Sequence, residues 1–220
     1  MYYRIRLLKG VLFPRYLSYQ LKESEAMIGL LPRLVLLFIA SSCIFALGSL
    51  SGIGTETLSR ELTASLAHEF ELKKLLFAIG QVVWGLVYAS LFIFLPALFF
   101  WTLTEIEYKK LLIIQAYSFL ILVCGKAVNM VVSFLLSVDP IYSPFSFGAL
   151  FQYLTVNEWI IAAFGTITLF HLWAIFIQYY YLNELTEKNS RFIFWIVLAL
   201  NIFFWIVNTL LSYIKIENLV

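Results

Sequence analysis

Charge is scarce in this chain: 13% of its 220 residues are Asp, Glu, Lys or Arg, against about 25% in ordinary soluble domains. The net charge of +2 is too small to suggest nucleic acid as a partner. Cys43 and Cys124 are the two cysteines, both inside long apolar runs, with no CxxC or Cys/His spacing that could hold a metal. They read as small buried apolar residues. His68 and His171 are the two histidines, on separate segments without metal-like companions. No HExxH, GxSxG or Walker loop occurs, and Ser118 and Lys126 are too far apart on one helix to act as a dyad. Carboxylates are absent from the deep parts of the apolar runs. Glu105, Glu107, Glu158, Glu184 and Glu187 sit at their edges, which argues against a carboxylate proton relay. No catalytic residue, metal ligand or cofactor site is expected.

Apolar length is what the chain has instead. Hydrophobic residues make up 62% of it. They gather in five runs, about Leu30–Leu50, Leu75–Trp101, Leu111–Ser137, Trp159–Leu182 and Phe192–Tyr213. Each reaches the ~20 residues needed to cross a hydrocarbon layer about 30 Å thick. A soluble helix rarely stays apolar on every face for so long. The expected class is an all-α membrane protein. A segment over residues 1–28 precedes a five-helix transmembrane domain over 29–220.

The opening segment does not read as a signal peptide, because Pro14 comes after only a short apolar stretch. It mixes Tyr2, Tyr3, Ile5, Leu7, Leu8, Val11, Leu12 and Phe13 with Arg4, Arg6, Lys9, Arg15 and Lys22. Apolar bodies with cationic tips suit the headgroup region, so an interfacial amphipathic helix is expected, with Arg4, Arg6, Lys9 and Arg15 at the membrane surface. After the first run, Ser51-Gly-Ile-Gly54 breaks the helix. Thr55–Lys74 then places Leu58, Leu62, Leu66 and Phe70 on one face. This predicts an outer-surface amphipathic helix, or one continuous with the second span. Phe147–Leu154, after the prolines at 140 and 144, is expected as a short apolar helix or re-entrant turn.

Orientation is set by Lys and Arg. With the N-terminus cytoplasmic, ten lie inside (Arg4, Arg6, Lys9, Arg15, Lys22, Arg33, Lys109, Lys110, Lys188, Arg191) and four outside (Arg60, Lys73, Lys74, Lys215). The positive-inside rule then places the N-terminus in the cytoplasm and the C-terminus outside.

Chemistry is to be sought at the polar residues within the runs. An ammonium at bilayer depth costs roughly 2.5–3.5 kcal/mol on insertion scales, so Lys126 leads. Asn129 lies one turn away on the same face, and His171 and Gln178 share a face of the fourth run. With Gln115 they form a candidate polar intramembrane pocket, suited to a lipid headgroup or a carboxylate. Gln81, Asn201 and Asn208 complete the polar set. The competing reading is interhelical hydrogen bonding that only fixes the helices against one another. Gly80, Gly85, Gly125 and Gly165 are candidates for close helix approach, and Pro96 for a kink near Phe92.

Several segments together carry a resemblance. Leu12-Phe-Pro14 with Tyr16-Leu17, Lys109-Lys110 leading into Ala116-Tyr117-Ser118, and Phe170-His-Leu-Trp173-Ala-Ile-Phe176 followed by Glu184–Arg191 resemble bacterial members of the Yip family of five-span, Rab/Ypt-interacting-protein-like membrane proteins. Leu95-Pro96-Ala97 matches no motif of that family. The resemblance implies a non-enzymatic multi-pass protein of a bacterial cytoplasmic membrane. It further implies an accessory or scaffold subunit, with lipid and other integral membrane proteins as partners. An ABC-type transporter in resistance to toxic peptides is one such partner; a homo-oligomer is a further expectation that does not come from the resemblance. The alternative reading, from the residues, is a small transporter or lipid-binding protein built around Lys126.

Overall fold

A computed structural model describes residues 2–50 and 67–213. The fold is almost wholly helical. β1 (Tyr2–Arg4), α1 (Leu7–Leu12), α2 (Pro14–Lys22) and β2 (Ala26–Ile28) make an N-terminal module, followed by α3 (Leu30–Leu50). Then come α4 (Ala67–Leu103), α5 (Tyr108–Leu136), a 3-10 turn (Pro140–Tyr142), α6 (Gly148–Phe151), α7 (Glu158–Gly165), α8 (Leu169–Leu185) and α9 (Ser190–Tyr213). Helices α3, α4, α5 and α9 are long and apolar enough to cross a membrane, and most of each faces outward. Val35, Leu36, Ile39, Val83, Trp84, Phe134, Leu135, Trp195 and Phe203 are all exposed. Such a surface is untenable in water and ordinary in lipid.

The fourth apolar run is not one helix. It ends as α7 at Gly165 and restarts as α8 at Leu169, with Thr166, Ile167 and Thr168 between. Extended backbone at Thr168 pairs with Ser146 in an isolated antiparallel bridge. Thr168 is the N-cap of α8, and Gly165, the last residue of α7, lies against Ile141 where a Cβ would collide, so the interruption has local chemistry on both sides.

The opening segment also differs from the single amphipathic helix expected. Its two strands pair in parallel, Tyr3 opposite Met27, with α1 and α2 crossing between them. Gly29, at φ +83°, turns the chain from β2 into α3, a conformation that favours glycine. The module is docked rather than afloat. Tyr3 and Tyr117 share a hydroxyl–hydroxyl bond of 2.8 Å, and the Tyr181 hydroxyl donates to the Gly10 carbonyl at 2.8 Å. Gly10 lies flat on the Tyr117 ring, where any side chain would collide with it. Burial pushes the Tyr3 phenol above its usual pKa, opposed by its bond to Tyr117.

Of the outer-surface helix, residues 55–66 lie outside the described ones. From Ala67 the chain is helical without a break into the second span, the continuous alternative. The short apolar piece after the prolines is α6, which stacks Phe151 on Phe164 of α7 at 3.8 Å. Cys43 and Cys124 are free and exposed, not buried as expected. In lipid an outward thiol costs little, because both sides of the helix are apolar. Gly80 has open space around it, whereas Gly85 meets the Ser42 backbone of α3. α4 stays helical through Pro96.

All ten cations of the expected inner set gather at one end of the bundle, where α3, α5 and α9 begin and α4 and α8 finish. There Lys110 Nζ donates to the Lys22 carbonyl and Lys188 Nζ to the Leu103 carbonyl, tying loops and helix ends together.

Candidate functional site

Toward the opposite end, a cavity of about 400 Å³ opens where α3, α4, α5 and α9 surround the α7–α8 interruption. Thr166 and Thr168 of the interruption line it. Irregular backbone at membrane depth is tolerated where it is buried in protein or lines a cavity. Lys126, Asn129, His171, Thr166, Thr168, Gln81 and Asn208 supply its polar lining, and Phe45, Tyr88 and Ile141 are among its apolar residues. Lys126 lies eighteen residues into the 29-residue α5, about 27 Å from its start and about 15 Å from its finish by helical rise.

No carboxylate lines the cavity among the described residues. The Lys126 ammonium instead rests 3.4 Å from the centroid of the Phe45 ring and 5.3 Å from that of Tyr88. An aromatic face attracts a cation but leaves its three N–H groups without acceptors. Lys126 is exposed and lines the cavity, with no acceptor for its ammonium among the described residues, so these donors face whatever enters.

His171 is fixed by the restart of α8. The Thr168 backbone N–H donates to its Nδ1 at 3.2 Å, with the Thr168 hydroxyl 2.9 Å away. A backbone N–H can only donate, so Nδ1 is the acceptor and the ring proton sits on Nε2. The imidazole is thus a neutral ring with one N–H to offer. Asn129 is held by the other wall: its Oδ1 accepts from the Ser143 hydroxyl at 2.7 Å, which leaves its amide N–H groups uncommitted among the described residues. An ammonium, a ring N–H and an amide NH2 therefore border one space. Donors without acceptors suit an anionic group, such as a carboxylate or a phosphate ester.

The far wall is the loop after α5. Ser137 ends that helix in left-handed backbone at φ 52°. Asp139 then caps the 3-10 turn by accepting from the Ile141 N–H at 2.8 Å. The Ser146 hydroxyl lies 2.8 Å from the Ile141 carbonyl and 2.9 Å from that of Gly165, so one buried group binds the loop to the open end of α7. Gly148 and Gly165 approach so closely that a Cβ on Gly148 would fall 2.8 Å from the Gly165 Cα.

Three of the five expected pocket residues meet here, Lys126, Asn129 and His171. Gln115 and Gln178 belong elsewhere. Gln178 Nε2 donates to Gln115 Oε1 at 2.8 Å, and Asn201 Nδ2 donates to Gln178 Oε1 at 2.8 Å, an amide chain joining α8, α5 and α9. The reason is axial. Gln178 is seven residues beyond His171, and Gln115 eleven before Lys126, so each lies about 10–16 Å along its helix from the cavity. Sharing a helical face does not place residues at one depth. Gln115 Nε2 is buried without a partner among the described residues, whereas the Asn201 amide also reaches the Val197 carbonyl at 2.9 Å. This network reads as glue between helices.

Phe45, Tyr88 and Thr168 were not singled out from the sequence. Gly165-Thr-Ile-Thr168, a glycine followed by an N-cap inside an apolar run, is a local signal for the break. Nothing local announces that Phe45 and Tyr88 lie beneath Lys126. Among the described residues no three His, Cys, Asp or Glu side chains come together as a metal site. No family model, no curated protein and no solved structure matches this chain.

Proposed function

We propose that the chain is a non-enzymatic, multi-pass membrane protein that holds the anionic group of a ligand in the cavity around Lys126, Asn129 and His171. It is then a lipid-binding protein or small transporter. One observation carries the reading: an ammonium with no carboxylate partner among the described residues, at membrane depth, facing a cavity at a helix interruption. A charge is costly there, and an arriving anion offsets that cost. Interrupted helices that line polar cavities are also how carriers present backbone to a solute.

In this reading α7 and α8 together form a broken fourth crossing, giving five in all. The basic end faces the cytoplasm and the C-terminus the outside of a bacterial cytoplasmic membrane. Cysteine labelling tests this. A thiol placed at Val156, which is fully exposed, should react with an impermeant reagent from outside, and one at Asn189 only after permeabilisation. Labelling of positions 156 and 189 from the same side would remove the crossing formed by α7 and α8, and labelling of 156 from the cytoplasmic side would overturn the orientation.

Purification in mild detergent followed by native mass spectrometry tests the ligand. The expected result is a bound anionic species. A phospholipid mass and a small-anion mass separate the two sources. An accessory subunit beside an ABC-type transporter, the role implied by the Yip resemblance, is the second reading. It rests on that resemblance: the apolar flank of α4, where Val83, Trp84, Val87, Leu91 and Leu98 stay exposed, suits lipid and a partner span alike. A transporter subunit that co-purifies stoichiometrically, with the cavity empty of any anion, would replace the first reading by this one.

A further inference from the structure

The N-terminal module has two unlike faces. Tyr3, Ile5, Val11, Leu17 and Leu21 are buried against the bundle. The other face is exposed, and on α2 it reads Arg15, Tyr16, Tyr19 and Lys22 in sequence order. These positions have the spacing i, i+1, i+4 and i+7, one side of a helix. α1 and β1 add exposed Arg4, Arg6, Lys9, Leu8 and Leu12 to the same module.

Two further observations say what covers that face. The first is depth. The module is fastened to Tyr117, nine residues into α5, so it lies beside the helix, about 13 Å along it by helical rise, rather than on its tip. With Lys109 and Lys110 marking the start of α5, that is the depth of headgroups and upper acyl chains. The second is charge. The module, residues 2–28, contains five Lys or Arg against two carboxylates, Glu23 and Glu25, and all five cations lie within residues 2–22, where there is no Asp or Glu. Of the other five cations at this end, three are committed to carbonyls, Arg33 to Gly29, Lys110 to Lys22 and Lys188 to Leu103, and Lys109 and Arg191 add two more uncommitted side chains among the described residues. The side chains of Arg4, Arg6, Lys9, Arg15 and Lys22 have no hydrogen-bond or ion-pair partner among the described residues.

We propose that the outward face of this module is a binding surface for anionic phospholipid headgroups of the leaflet at the basic end. The exposed Tyr, Leu and Phe bodies enter the acyl boundary, and the cations stand above them among phosphates. This second site lies at the opposite end of α5 from the Lys126 cavity and does not depend on it.

The test uses the full chain in lipid nanodiscs of phosphatidylcholine alone or mixed with phosphatidylglycerol. It compares the wild type with the quadruple variant Arg4→Gln, Arg6→Gln, Lys9→Gln, Arg15→Gln. Native mass spectrometry reads the phosphatidylglycerol retained after release from the disc. One juxtamembrane cation is worth about 1 kcal/mol, about fivefold in binding. Retention should therefore fall by roughly tenfold or more in the variant, and in the wild type at high salt. The charge-conserving set Arg4→Lys, Arg6→Lys, Lys9→Arg, Arg15→Lys should keep it, which separates charge from folding. Equal retention in the wild type and the Gln variant, or loss in the charge-conserving set, would overturn the proposal. So would retention of phosphatidylcholine and phosphatidylglycerol in the ratio supplied.

Discussion

Gly85→Ala should lower the melting temperature of the detergent-solubilised protein sharply, and Gly85→Leu should prevent a stable fold. A Cβ at position 85 would stand 2.6 Å from the Ser42 Cα and 3.0 Å from the Ser42 nitrogen. Those are backbone atoms of α3 and cannot turn aside as a side chain can. The helices must separate, and overpacking of this kind costs about 1–3 kcal/mol for one methyl. Separation also strains the Ser41 Oγ bond to the Gly85 carbonyl, at 2.9 Å, and that of Ser42 Oγ to the Val82 carbonyl, at 3.2 Å. In lipid no hydrophobic effect drives helices together, so close approach and such bonds carry the association. The contact also sets the Phe45–Tyr88 pair, 5.3 Å between ring centroids, on which Lys126 rests. Gly80→Ala, one and a half turns earlier, is the control. It meets nothing within 4 Å, so the higher helix propensity of Ala should leave it neutral or more stable by up to about 1 kcal/mol. If both variants melt together, the close contact of α3 with α4 is wrong.

Those two glycines show where the sequence was informative and where it was not. Both are small residues in one apolar run, and composition cannot tell which faces a neighbour. Four of the five expected spans were legible because length and apolarity act on the chain alone: hydrocarbon demands internally satisfied backbone whatever the tertiary contacts. The gathering of ten cations at one end was legible for a similar reason, since loop charge is read along the chain. The break at Thr166–Thr168 has local chemistry, but an apolar run of spanning length around it outweighed a Gly and a Thr. The module at residues 2–28 was obscured by mixed periodicity. Tyr3 and Ile5 alternate like a strand, Leu17 and Leu21 recur like a helix, and parallel pairing with residues 26–28 is a long-range event. At the cavity, Lys126, Asn129 and His171 stood out because polarity is conspicuous in an apolar run. Their separation from Gln115 and Gln178 depended on helix offsets that no single segment encodes.

Lys126→Leu should abolish retention of the anionic ligand while leaving the empty protein as stable as wild type or more so. Two terms of opposite sign set the second half of that expectation. Removing an ammonium from membrane depth relieves roughly 2.5–3.5 kcal/mol on insertion scales. Losing its contact with the Phe45 and Tyr88 rings costs about 0.5–2 kcal/mol. The net sign favours the variant in the absence of ligand. With ligand the comparison reverses, because only the wild type gains stability from binding, by an amount that grows with ligand concentration over its dissociation constant. Lys126→Arg keeps the charge and should retain part of the binding, since a planar fork replaces a compact ammonium. Asn129→Leu provides the contrast. It strips the acceptor from the buried Ser143 hydroxyl, so it should destabilise the protein by about 1–3 kcal/mol with or without ligand. Thermal melting at rising ligand concentration distinguishes the two patterns. Should Lys126→Leu instead melt well below wild type with no ligand present, and retain the anion as before, the ammonium serves the fold and the anion site must be sought elsewhere.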